Sequence, residues 1–181
     1  MSLTPSNMVE LGFTAPDFTL PDVFSKKSMS LQNLAGSKGM LLMFICNHCP
    51  YVLHIEEALQ ALGKEFRGTG MGIAAICAND AVEYPQDGPE EMAKRHYPFP
   101  YLHDASQEVA KLYQAACTPD FFLFDGDLKC VYRGQFDDAR PDNKKPVTGE
   151  DLRNAMAALI RGETIPADQK ASVGCNIKWR E

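Results

Sequence analysis

The chain has 181 residues, of which 45% are hydrophobic and 23% charged, and its formal net charge is −6. That is enough apolar material to bury a core without a metal or disulfide staple, and the acidic balance leaves no basic stripe to meet a nucleic-acid backbone. The longest apolar run, "MLLMFIC" at Met40–Cys46, is strand-sized and falls well short of the roughly 20 residues a membrane span needs.

In chain order, no charged stretch followed by an apolar one opens the sequence, so no secretory signal is expected. Met1-Ser2-Leu3 is compatible with an added start, which leaves export through a removed leader open; otherwise a cytoplasmic setting is expected. "TAPDFTLPDV" sets Pro16 and Pro21 around a short apolar alternation and predicts extended edge segments. "GMLLMFIC" is a continuous apolar run of the length of a strand buried on both faces. From Pro50, Val52, Ile55, Leu59, Leu62 and Phe66 recur at steps of three and four, one face of an amphipathic helix ending near "RGTG". "MGIAAICAN" predicts a second buried strand, and "EEMAKRHY" and "SQEVAKLYQAA" predict helices. "DFFLFD" and "KCVYRGQF" flank Gly126 and predict a two-stranded hairpin. "TGEDLRNAMAALIRG" predicts a last helix, with Thr148 as its cap and Gly162 as its stop. The alternation of strands and helices predicts one α/β domain over 1–181, a mixed sheet with helices on both faces. An extended N-terminal segment and a tail from about residue 163 complete it.

The chemistry centres on "FICNHCPYV". Proline is favoured at the first position of a helix, so Pro50 there makes Cys49 the N-cap. The sulfur of Cys49 then faces unpaired backbone N–H groups and the positive end of the helix dipole, which favours thiolate over thiol. Cys46, three residues earlier in the strand-to-helix loop, reaches Cys49 but has no such dipole, so Cys49 is the expected nucleophile and Cys46 its disulfide partner. Cys175 in the polar tail and Cys117 are rival partners for Cys49, whereas Cys77 and Cys130 lie in strand patterns and read as core. His48 reads either as a cation beside the thiolate or as a loop side chain facing solvent. A zinc site would need four ligands, and the remaining histidines and cysteines are scattered singly, so a redox pair is favoured over a metal site.

The buried strand, the cysteine at a helix start and the later "CTPDFFLFD" together resemble the thioredoxin fold. The resemblance implies that Thr118 and Pro119 form the threonine–cis-proline element that lies against the active cysteine. "GFTAPDFTLPD" and "CPYV" are similar to the opening and cysteine motifs of the alkyl hydroperoxide reductase/thiol-specific antioxidant proteins, the peroxiredoxin-like branch, from about Leu11 to Trp179. A subgroup carrying C-N-H-C-P, with "SVGCNIKW" in its tail, is the nearest pattern. In that comparison Cys49 takes the peroxidatic place and Arg140 in "DDARPD" the place of the thiolate-pairing arginine. Val52 stands where thioredoxin has its second cysteine, His48 where it has tryptophan, and Met43 where it has its buried acid. Cys46 replaces the threonine that aligns a hydroperoxide in peroxiredoxins. The resemblance therefore implies thiol-disulfide exchange with an external dithiol reductant, with peroxide reduction and a non-catalytic binding or chaperone-like module as alternatives, and with no organic cofactor.

Overall fold

Two apolar runs separated by one amphipathic helix favour a parallel strand pair with a helical crossover. That pair is the centre of the computed structural model, which describes residues 3–181. Met1 and Ser2, from the opening Met1-Ser2-Leu3, lie outside the described residues. The elements are β1 (Leu3–Pro5), β2 (Thr19–Pro21), β3 (Ser28–Ser30), α1 (Leu31–Leu34), β4 (Gly39–Phe44), α2 (Pro50–Glu65), β5 (Met71–Cys77), α3 (Pro89–Met92), β6 (Tyr101–His103), α4 (Glu108–Leu112), β7 (Cys117–Thr118), β8 (Asp120–Asp125), β9 (Cys130–Tyr132), α5 (Glu150–Arg161) and β10 (Val173–Asn176).

The central five-stranded sheet has the order β6-β5-β4-β8-β9. β4 runs parallel to β5 and antiparallel to β8, which turns back into β9 as the predicted hairpin. Every residue of β4 is buried, because both faces of the sheet are covered. Leu41 and Met43 pack with Leu59 and Leu62 of α2 and with Leu152 and Met156 of α5. Met40, Leu42 and Phe44 pack on the other face with Leu31 and Leu34 of α1 and Val109 and Ala110 of α4. This is the thioredoxin-like α/β arrangement, a mixed sheet between helices.

Because Leu59 is fully buried at the centre of the α2 face, Leu59→Ala is expected to cost about 2–5 kcal/mol of stability. Leu53, 44% exposed on the opposite side of the same helix, is expected to change by no more than about 0.5 kcal/mol when replaced by Ala. Urea unfolding of both variants checks the contrast; equal losses would mean that α2 does not dock by the predicted face.

Three local expectations shift. The helices expected in "EEMAKRHY" and "SQEVAKLYQAA" are short, α3 closing at Met92 and α4 at Leu112. After α4 the chain reverses at Gln114, whose φ is 55°, and enters β7. The start of α5 lies one residue beyond the expected cap: Gly149 is the N-cap, with φ 66°. A Cβ there would strike the Phe136 ring, and Asp137 Oδ2 accepts the N–H groups of Thr148 and Gly149 at 2.7 and 2.6 Å. A carboxylate from the preceding loop thus holds the two residues before α5, while the Thr148 hydroxyl accepts from the Glu150 N–H at 3.3 Å.

The tail after α5 returns across the molecule. β10 inserts between β1 and β7 as the middle of an antiparallel three-stranded sheet, with Cys175 opposite Thr118 and Asn176 opposite Cys117. Gly174 is required here, since a Cβ would run into the Thr118 carbonyl oxygen. This return brings the end of the chain onto the start of α2.

Candidate active site

β4 delivers the chain to a short loop, Ile45–His48, and α2 begins at Pro50 with Cys49 as its N-cap in an extended conformation. Cys49 is fully buried and Cys46 is 1% exposed. The Thr118–Pro119 peptide bond is cis, and the Thr118 carbonyl oxygen lies 3.1 Å from Cys49 Sγ. Thr118 Oγ1 lies 3.5 Å from Cys46 Sγ. The expected residues Cys46, Cys49, Thr118 and Pro119 therefore meet at one point, where the loop before α2 faces the turn before β8.

Charge at this point is distributed unequally between the two thiols. Hydrogen bonding from Cys46 is the largest influence on Cys49; burial opposes it, and hydrogen bonds from Cys175, from Thr118 and from the Val52 N–H join it, bringing Cys49 down to about 4. Cys46 is pushed far up from the usual thiol value, first by its bond to Cys49, then by burial and by the charge of Asp87. The Thr118 carbonyl works against this distribution, since at 3.1 Å it can only accept a proton from a Cys49 thiol. One acceptor faces several donors at the positive end of a helix, so the donors win and Cys49 holds the charge.

His48 does not act on Cys49. Its Nδ1 lies 2.5 Å from Asp87 Oδ2 and 4.0 Å from Cys46 Sγ, and its ring stacks on Tyr84 with centroids 5.2 Å apart. A proton on Nδ1 aimed at Asp87 leaves that nitrogen unable to take one from Cys46, so the three do not form a nucleophile–base–acid triad. Asp87, from the 3-10 turn Pro85–Asp87, is fully buried and also accepts from the Asn47 N–H at 2.7 Å and from Asn79 Nδ2 at 2.8 Å. Arg95 holds the same loop, donating to the Asn47 carbonyl at 2.7 Å while it pairs with Glu56 at 3.0 Å. Cys46 Sγ, His48 Nδ1 and Asp87 Oδ2 lie within 4.8 Å of one another and are the grouping among the described residues that could hold a metal ion. As arranged, they form a hydrogen-bonded network that fixes the loop, and zinc would require a fourth ligand.

Asp87 and Asn79 were not anticipated, because "NDAVEYPQDGP" has no periodicity and its contacts to the loop are long-range. Replacing Asp87 with Asn would set an amide N–H₂ against the His48 and Asn79 donors, at an expected cost of about 1–3 kcal/mol. Chemical denaturation of Asp87→Asn checks this; a wild-type midpoint would mean that the carboxylate does not hold the loop. A second unanticipated acid is Asp120, the cross-strand partner of Phe44, which burial pushes up to about 6 despite bonds from Ser6 and from the backbone N–H groups of Ala116, Cys117 and Phe121. It follows Pro119 directly, so a buried acid adjoins the site although Met43 occupies the place where one was sought.

The other candidates divide. Cys175 reaches the site through β10 and hydrogen-bonds Cys49; burial, then that bond, raises it to about 12. Cys117 lies in β7, with its thiol 3.5 Å from the Pro119 carbonyl. Cys77 and Cys130 are buried in strands as expected. Arg140 donates to the carbonyls of Asp137 and Ala139, each at 2.7 Å, and to Gln135 Oε1 at 2.6 Å. These bonds direct its guanidinium into its own loop, at the edge of a small recess that also includes Tyr51, His54, Pro119 and Val173.

The site thus sets a cysteine at a helix start beside a second thiol and a cis-proline on this sheet. The family described as AhpC/TSA matches residues 11–133. The chain belongs to the AhpC/TSA family. As a member it is a thiol-based oxidoreductase of the peroxiredoxin-like kind. Among solved structures, an uncharacterized conserved protein from Geobacillus kaustophilus is 50% identical, with a TM-score of 0.97 over 99% of this chain and 97% of that one. A hypothetical protein from Sinorhizobium meliloti 1021 is 47% identical, with a TM-score of 0.95 over 98% of each chain. A putative thiol:disulfide interchange protein DsbE from Chlorobium tepidum is 20% identical, with a TM-score of 0.67 over 84% of this chain and 99% of that one, a likeness of fold. No curated protein matches the chain. Among the described residues, no helix is long and apolar enough to cross a membrane.

Proposed function

We propose that this AhpC/TSA protein is a thiol-disulfide oxidoreductase in which Cys49 is the nucleophile and Cys46 its resolving partner. The observation that carries the reading is the placement of the pair: Cys49 caps the start of α2 beside a second thiol and the cis Thr118–Pro119 bond, an arrangement that lowers Cys49 and raises Cys46. The Cys49 thiolate attacks one sulfur of a substrate disulfide and expels the other as a thiolate. Cys46 gives up its proton to that leaving thiolate and attacks Cys49, forming the Cys46–Cys49 disulfide and releasing the second substrate sulfur as a thiolate, which takes its proton from water. Once Cys49 is in a neutral mixed disulfide, the largest influence that keeps Cys46 protonated is gone, so resolution follows capture. An external dithiol protein then reduces the Cys46–Cys49 pair, a cycle suited to the reducing cytoplasm.

Thr118 and Pro119 form the wall against which a substrate strand would lie, and Arg140, at the edge of the recess beside Pro119, is assigned to substrate recognition rather than to pairing with the thiolate. Cys49 is fully covered, so the approach of a substrate requires the tail strand or the Cys46 loop to shift. Disulfide exchange is favoured over peroxide reduction because Cys46 occupies the place of the hydroperoxide-aligning threonine and the Arg140 guanidinium is engaged in its own loop.

Stopped-flow measurement of thiol loss after mixing reduced protein with hydrogen peroxide, and separately with a small disulfide, distinguishes the two electrophiles. Fast loss with the disulfide and loss with peroxide no faster than that of a free thiolate of similar pKa is expected. Fast loss with peroxide, ending in a Cys46–Cys49 link, would make the protein a thiol peroxidase instead.

A further inference from the structure

Cys49 has two thiol neighbours, and they belong to different parts of the chain. Cys46 comes from the loop that leads into α2, and Cys175 comes from the tail strand more than a hundred residues later. The position of Cys175 is fixed by the sheet. β10 pairs with β7 so that Cys175 lies opposite Thr118, the residue whose carbonyl is 3.1 Å from Cys49 Sγ. Gly174 lets the tail approach that carbonyl as closely as it does, and Cys175, a free thiol, hydrogen-bonds Cys49. Cys175 is 4% exposed and Cys49 fully buried, so both thiols are closed to solvent and each is the other's neighbour. Cys117, the other cysteine beside the cis-proline, is turned toward the Pro119 carbonyl.

We infer that Cys175 is a second resolving thiol for Cys49, so that three cysteines share one disulfide and the tail strand can be covalently tied to the start of α2. The inference rests on the reading of Cys49 as the nucleophile and extends it to where the oxidising equivalents go. After Cys49 has captured one half of a substrate disulfide, the Cys175 sulfur attacks Cys49 Sγ, the bond from Cys49 to the substrate sulfur breaks, and the Cys175 proton goes to the departing thiolate. From the Cys46–Cys49 disulfide the same attack forms Cys49–Cys175 and returns Cys46 as a thiol. This second step is an exchange with no net oxidation. Reduction of either pair takes two electrons and one proton from the external dithiol and restores the Cys49 thiolate beside a protonated partner.

The division between the two resolvers follows from where each sulfur is held. Cys46 lies three residues before Cys49 in the same loop, whereas Cys175 is held in β10 by its pairing with β7. Cys46 is therefore the first resolver and Cys175 the second. A Cys49–Cys175 bond would also fasten the strand that covers the site, closing it to a further substrate until a reductant opens it.

The test oxidises reduced wild-type protein, Cys46→Ser, Cys117→Ser and the Cys46→Ser/Cys175→Ser double variant with one equivalent of oxidised glutathione. Free thiols are then blocked, and linked peptides are mapped by mass spectrometry without reduction. In Cys46→Ser the expected main product is a Cys49–Cys175 link with little glutathione retained. In the double variant the glutathione adduct on Cys49 becomes the main product, at a yield about tenfold higher or more. Cys117→Ser should match wild type. A Cys46→Ser protein with native circular dichroism that accumulates the Cys49 adduct while Cys175 stays free would overturn the inference and leave Cys49 as the nucleophile. Absence of any adduct or link at Cys49 in all four proteins would overturn both.

Discussion

Cys49→Ser should lower the rate of disulfide reduction by about 10³-fold or more, the scale on which removal of a covalent nucleophile acts. The serine hydroxyl is close in size and can take the same hydrogen bonds at the start of α2, but it stays protonated where Cys49 is ionised, so no attacking anion remains. Dithiothreitol-driven reduction of insulin, followed by turbidity, measures the loss. Cys130→Ser, altered in a strand of the opposite core, serves as the control and should retain activity. Activity near the wild-type level in Cys49→Ser would mean that another cysteine attacks and that the offset of the pair toward the helix carries no chemistry.

Cys46→Ala should raise the midpoint at which Cys49 ionises, and raise it more than Cys175→Ala does. The thiol of Cys46 is the strongest influence holding Cys49 down to about 4, and that of Cys175 is weaker. Absorbance of the thiolate near 240 nm follows ionisation without requiring a reagent to enter a covered site. Stability should respond with a definite sign. Because the folded value lies below the ordinary thiol value of 9.0, the unfolded chain takes up the Cys49 proton first as pH falls. The stabilisation from the thiolate is therefore fully present above about 9 and is lost as pH falls through about 4, and Cys46→Ala should weaken this dependence. An unchanged midpoint in Cys46→Ala would mean that the helix start alone ionises Cys49.

The sequence made the central sheet legible because β4, β5 and β8 are short apolar runs with no polar interruption, and α2 repeats its buried residues at helical spacing. The start of α2 was legible too, since proline after Cys49 marks a first turn by local chemistry alone. What the sequence concealed is what forms at long range. β10 is four residues with no apolar run, and its place follows from a glycine that permits contact with Thr118. Asp87 lies on a turn with no periodic signal, yet it fixes the Cys46 loop through two hydrogen bonds, to the Asn47 N–H and to His48. The short lengths of α3 and α4 reflect how the chain turns after them, which helix propensity does not register. "SVGCNIKW" offered Cys175 as a rival partner for Cys49, but it carried no sign of the strand pairing with β7 that sets the cysteine opposite Thr118.

The most direct test of the account is the ionisation of reduced wild-type protein and of Cys49→Ser, followed at 240 nm from pH 3 to pH 10. The account predicts one thiolate in wild type with a midpoint of about 4, absent from Cys49→Ser. A low-pH thiolate that survives in Cys49→Ser, or a wild-type protein with no thiolate below the ordinary thiol range, would contradict it.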